Sequence, residues 1–154
     1  MDIAPTYLVV VDESAESRVA VRFAAMRAGH VGARMAMIHV IRPPEFMQWG
    51  AVQEAMAAEA RVEAETLLAG VADEAEALAG IRPLSIILKG DAAPAIFEHI
   101  RNDPTVRALV LGAASKGAPG PLISYFTAER AGHLPCVVII VPGGLDPERL
   151  ESLT

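Results

Sequence analysis

Five short apolar runs, each of strand length and largely without polar alternation, constrain this chain more than any other feature. They are Tyr7 to Val11 (YLVVV), Met35 to Ile41 (MAMIHVI), Leu84 to Leu88 (LSIIL), Val106 to Leu111 (VRALVL) and Val137 to Val141 (VVIIV). Such runs mark strands buried on both faces, the pattern of a parallel sheet rather than of a half-solvated antiparallel one. The segments between them read as helices. Asp12-Glu13-Ser14 turns the chain, and Ser14 is placed to cap a helix, with Ser17 three positions on where a capping box carries glutamate. That helix runs to about Ala28, with Val19, Phe23 and Met26 on its inner face, and Gly29 and Gly32 end it.

Pro43-Pro44 closes the second strand, and Glu45 to Gly50 reads as irregular. From Ala51 to Leu78 alanine and glutamate dominate, with Val62, Leu67, Leu68, Val71, Ala75 and Leu78 at helical spacing and an irregularity expected at Gly70. Gly90-Asp91 opens a helix over Ala92 to Arg101, with Ile96, Phe97 and Ile100 inward. A glycine-rich loop follows the fourth strand from Gly112 to Gly120, and Leu122 to Gly132 reads as the last helix. One domain over residues 1–142 is expected, followed by a polar, loose tail over 143–154. The order β-α-β-α-β-α-β-α-β, with right-handed crossovers, gives an α/β fold: a doubly wound five-stranded parallel sheet with helices on both faces. Ligands of such folds bind beyond the carboxyl ends of the strands, and Asp12, Val40 and Gly112 stand at three of those ends.

Composition narrows the function. Apolar residues make up 53% of the chain, yet no run approaches the roughly 18 consecutive residues of a membrane helix. The first residues, MDIAPTYLVVVDES, carry no basic segment, apolar core and cleavage site in succession, so no secretion signal is expected. The single cysteine, Cys136, has no internal partner and falls in a strand-like run, which fits a reducing, cytoplasmic setting and a buried, inert thiol. The formal net charge is -6, and the only lysines, Lys89 and Lys116, lie far apart. Phosphate backbones are recognised by a positive face, so neither nucleic acid nor membrane is expected as a partner.

Most catalytic signatures are absent from the sequence. There is no P-loop, no G-x-G-x-x-G, no G-x-S-x-G elbow and no H-E-x-x-H. The histidines His30, His39, His99 and His133 have no metal-binding spacing, so no metal site is expected, and His39 reads as a core residue of strand two. Asp12 after an apolar strand resembles the nucleophile of phosphoryl-transfer enzymes, but these want a second aspartate where this chain has Ser14. No catalytic residue is assigned.

Four places in matching order resemble the universal stress protein family: VVVDES at the end of strand one, His39-Val40 at the end of strand two, Gly90-Asp91-Ala92, and LVLGAASKGAPG followed by AER and LPCVVIIV. The resemblance covers Tyr7 to Pro142. It implies an adenine nucleotide alpha hydrolase-like sheet, a homodimer formed through the last strand, Val137 to Val141, and, as in many members, ATP with magnesium held at the strand ends. The ATP-binding pattern of the family is glycine, two residues, glycine, nine residues, glycine, then serine or threonine. Laid on this chain it begins at Gly112, but its later positions fall on Ser115, Tyr125 and Phe126.

The cofactor-binding set implied by the resemblance is therefore Asp12, Val40, Gly112, Ser115, Lys116, Gly117, Gly120, Tyr125 and Phe126. Asp12 reads equally as a lining carboxylate or a helix cap, and Val40 as adenine-pocket backbone or strand-end packing. Lys116 is either the loop's phosphate partner or a solvated lysine. Tyr125 and Phe126 would put rings where phosphates sit in the family, either as apolar filling or as a stack for another ligand. Pro119 and Pro121 remove N–H donors. Losing one or two hydrogen bonds to a charged ligand costs about 1.5–3 kcal/mol each, enough to carry a micromolar site towards millimolar. The expected protein is a non-enzymatic stress-response or signalling dimer with weak or absent ATP binding. The alternative is a genuine ATP sensor with slow hydrolysis.

Overall fold

The computed structural model describes residues 4–43 and 50–154. Its sheet has five strands in the order β3-β2-β1-β4-β5, and every neighbouring pair is parallel. The strands are β1 (Thr6–Val10), β2 (Arg34–Ile41), β3 (Leu84–Lys89), β4 (Val106–Ala113) and β5 (Val137–Pro142). The helices are α1 (Ala15–Val31), α2 (Ala51–Ala79), α3 (Ala92–Asn102), α4 (Pro121–Ser124) and α5 (Pro147–Ser152). The chain winds outward from β1 to β3, then crosses back to β4, so the winding reverses between β1 and β4.

Neighbouring strand residues face opposite sides, and the two sides make two cores. Val9, Met35, Met37 and Val110 meet α1 and α2 through Ala20, Ala24, Leu68 and Val71. Leu8, Ile38, Leu109 and Leu111 meet α3 and the α4 region through Ile96, Ile100, Ile123 and Phe126. Burial on both sides is why the inner strands β1, β2 and β4 read as apolar runs, whereas the edge strands β3 and β5 are only partly buried, with Leu84 and Val137 exposed. Cys136 packs against the second core, and burial pushes its thiol pKa up.

Helix α1 begins as its sequence dictates: the amide of Ser17 donates to Ser14 Oγ (3.2 Å). It continues through Gly29 and stops at Gly32, whose φ of +70° is the left-handed conformation of a C-cap. Helix α2 is unbroken at Gly70. Its buried residues are Ala64, Leu68, Val71, Ala72 and Ala75, so the expected inner stripe was too broad: Val62 is 60% and Leu78 49% exposed. Alanines on both helices bring them close to each other and to the sheet. The expected irregular stretch, Glu45 to Gly50, lies outside the described residues except for Gly50.

Two expectations are corrected near the C-terminus. The helix expected over Leu122 to Gly132 is one α-turn followed by a π-helical segment, Tyr125–Glu129, and a 3-10 turn, Ala131–His133. The amide of Arg130 donates to the Tyr125 carbonyl (3.0 Å), the wider π spacing. The tail is not loose. Asp146 caps α5 by accepting from the Arg149 amide (2.8 Å), Leu150 is buried in the α1–α2 core, and Arg27 Nη1 donates to the Thr154 carbonyl (3.1 Å). Leu150, with Leu145 packed beside the same core, docks an otherwise polar segment.

Candidate functional site

The reversal between β1 and β4 opens a hollow at the carboxyl ends of the strands, the place where this topology binds ligands. Its volume is about 360 Å³, and its walls come from the β1 and β2 ends, the starts of α1 and α3, and the Pro119 to Ile123 stretch. A larger groove of about 480 Å³ lies between α1, α2 and α5. It is a furrow between surface helices, without the converging helix starts and strand ends that the strand-tip hollow has, so the strand-tip hollow is the candidate site.

Asp12 is in its lining and exposed. Asp12 Oδ1 accepts from the Ser14 amide (2.8 Å), and its own amide donates to Ser17 Oγ (3.0 Å). Ser17 is buried, and its hydroxyl also donates to the Val10 carbonyl (3.4 Å). Asp12 thus caps the turn into α1 and lines the hollow at once. Serine at position 17 does not close a capping box; it reaches two residues farther back, onto the strand end.

His39 and Val40 follow from β2, with Arg42 beyond them. His39 Nδ1 lies 2.7 Å from the Val11 carbonyl oxygen. A carbonyl can only accept, so Nδ1 carries the proton, and in the neutral ring Nε2 is an acceptor. His39 is therefore both packed and part of the wall, a role that reading it as a core residue missed; the signal was its place two residues before the strand end. Asp91, Ala92 and Ala93 bring the start of α3, and Glu16 brings the first turn of α1. Arg42 and Asp91 stand at the rim with 4.0 Å between Nη2 and Oδ1, both side chains largely exposed.

Gly112 is in the wall, but it is a strand residue paired with Val141 rather than the start of a loop. A Cβ on it would lie 2.6 Å from the Glu16 carbonyl carbon, so its need for glycine comes from the close approach of α1. Gly120 also lines the hollow, at a φ of +123° open only to glycine.

The remaining residues of the expected set are elsewhere. The amide of Ala114 donates to the Pro119 carbonyl (3.2 Å), which closes the neck of the loop between them. Ser115, Lys116 and Gly117 are carried outward on that loop, exposed and outside the lining. The rings do not fill the hollow: Phe126 is 0% exposed within the second core, and Tyr125 packs beside it. Their centroids are 5.0 Å apart in an edge-to-face pair, and Tyr125 meets Phe97 of α3 at 6.4 Å in the same way. Among the described residues, no three histidine, cysteine or acidic side chains gather to hold a metal, and no helix is long and apolar enough to cross a membrane.

A model of the universal stress protein family matches residues 6–142. The chain belongs to the universal stress protein family. Among solved structures, the universal stress protein UspA from Lactobacillus plantarum is similar with a TM-score of 0.72 at 18% identity, covering 92% of this chain and 99% of its own. A universal stress protein in complex with cAMP gives 0.64 at 18%, covering 93% and 100%. The universal stress protein from Archaeoglobus fulgidus in complex with dAMP gives 0.62 at 17%, covering 91% and 98%. At these identities the likeness is one of fold. No curated protein matches the chain significantly. As a universal stress protein the chain keeps the sheet and the strand-tip hollow, with Gly112 and Gly120 in its wall and Ser115, Lys116 and Gly117 outside the lining.

Proposed function

We propose that this universal stress protein acts in the cytoplasm as a non-enzymatic stress-response or signalling dimer whose strand-tip hollow takes an adenine compound and binds ATP weakly. The observation that carries the reading is the displacement of the loop: Ser115, Lys116 and Gly117, the residues that would hold phosphates, are outside the lining. Pro119 and Pro121 offer no N–H, and α4 is a single turn. ATP with magnesium therefore does not fit the donors present at that end. Support for an adenine ligand comes from relatives solved with dAMP and cAMP. Val40 lines the wall near the end of β2, where its backbone would meet an adenine edge. Support for the dimer comes from β5, a sheet edge on which Val137 is 63% and Ile140 41% exposed.

A second reading, a genuine ATP sensor with slow hydrolysis, is favoured by Arg42, the one lysine or arginine of the wall among the described residues. Calorimetric titration with ATP and magnesium separates the two. Saturable binding tighter than about 100 μM, or about −5.5 kcal/mol, supports the sensor and rejects weak binding. Light scattering at micromolar protein tests the dimer, and a monomer there refutes it.

A further inference from the structure

The hollow's polar side chains are biased towards one kind of partner. Among the described residues the lining holds three carboxylates, Asp12, Glu16 and Asp91, and one guanidinium, Arg42, which already stands 4.0 Å from Asp91. Carboxylates only accept hydrogen bonds, and His39 adds a further acceptor when its ring is neutral, because Nδ1–H is committed to Val11. Helix starts ordinarily attract anions, but the start of α1 is already answered: Ser14 Oγ takes the Ser17 amide, Asp12 Oδ1 takes the Ser14 amide, and Glu16 sits in the first turn. At α3, the N-cap residue Asp91 brings its own negative charge to the helix start. Asp91 makes no side-chain bond to its own helix, so the α3 start keeps amide donors, but among the described residues the lining's charged side chains sum to a net negative charge, which suits a ligand poor in charge.

We propose that the strand-tip hollow takes an uncharged nucleoside, its ribose hydroxyls and exocyclic amine donating to the wall's carboxylates and imidazole, and that the same carboxylates disfavour each added phosphate. This rests on the adenine reading of the hollow and deepens it. Carboxylates are apt partners for ribose hydroxyls, and the cavity at the winding reversal, rather than the acidic residues, defines the site. Phosphates entering here would meet the like charge of these carboxylates, with Arg42 the one lysine or arginine of the lining among the described residues.

The test is calorimetric titration of the full chain with adenosine, AMP and ATP, in low and raised salt, with a D12N/D91N double variant beside it. Both side chains are exposed, and Asn at 12 retains an Oδ1 for the Ser14 amide, so the variant folds. Adenosine is expected to bind about tenfold tighter than ATP in low salt, with AMP between them. The gap narrows about threefold or more in raised salt, where exposed charges are screened, and likewise in the double variant. ATP binding as tightly as adenosine, or more so, overturns the inference while leaving an adenine site standing. A gap unchanged by both salt and the amide substitutions overturns it too, since charge is then not its cause. Absence of binding by all three compounds removes the adenine reading together with the inference.

Discussion

Gly112 of β4 and Glu16 of α1 touch backbone to backbone: a Cβ at Gly112 would overlap the Glu16 carbonyl group, 2.6 Å from its carbon. Gly143 repeats the arrangement from the other side, where a Cβ would come within 2.8 Å of both the Ala113 oxygen and Glu16 Cβ. The amide of Gly143 donates to Ala113 (2.8 Å). Two glycines thus let the first turn of α1 sit down on the end of the sheet, and that seat fixes the wall of the hollow.

Gly112→Ala is therefore expected to destabilise the fold by about 3 kcal/mol, since neither backbone can yield freely. Gly117→Ala, on the outward loop where a Cβ meets nothing, pays only for its positive φ of +75°, about 1 kcal/mol. Chemical denaturation of the two variants checks the ordering. Equal losses would mean that α1 is not seated as described.

Phe126→Ala is expected to cost about 4 kcal/mol through the cavity left in the second core. Tyr125→Ala costs less, about 2 kcal/mol, because Tyr125 is only partly buried and mainly loses its edge contacts to Phe97 and Phe126. Replacing the pair with glycine and serine, the residues that the family's ATP-binding pattern has there, is expected to unfold the protein at moderate temperature rather than to create an ATP site. Melting curves and ATP titration of the double variant decide between these outcomes.

At the opposite end of the sheet, burial alone would raise the pKa of Asp103, but donation from Thr105 outweighs it. The Thr105 hydroxyl donates at 2.7 Å and its amide at 3.0 Å, and His99 lies nearby, so the carboxyl is held below the usual carboxylate range. A carboxyl depressed in the folded state contributes stability that is present above its unfolded pKa and lost as pH falls through its folded one. Asp103→Asn is expected to cost about 1 kcal/mol at neutral pH and much less at pH 2–3, flattening the acid side of the stability curve. Denaturant midpoints measured across that range test the sign. A loss that grows on acidification contradicts it.

The inner strands were legible in the sequence because burial on both faces leaves few polar positions, as in YLVVV of β1, whereas the apolar run of β5 stands at an edge and is partly exposed. Ser14 and Gly32 were legible as helix ends for the equally local reason that a cap needs a particular side chain or a particular φ. Asp12 and Val40 were found at the hollow because strand ends converge where the winding reverses.

Spacing along the chain could not tell which side of a neck a loop residue falls on. Lys116 is four residues past Gly112, but the Ala114–Pro119 hydrogen bond turns that distance into an outward excursion. Nor could spacing reveal that Phe126 finds more apolar surface beneath the sheet than in the hollow, or that Leu150 would dock the last twelve residues. Local chemistry determined the elements, because propensity and burial act within a few residues. Which groups share a cavity was decided only by the tertiary structure, because it depends on distances between segments that the chain itself leaves unspecified.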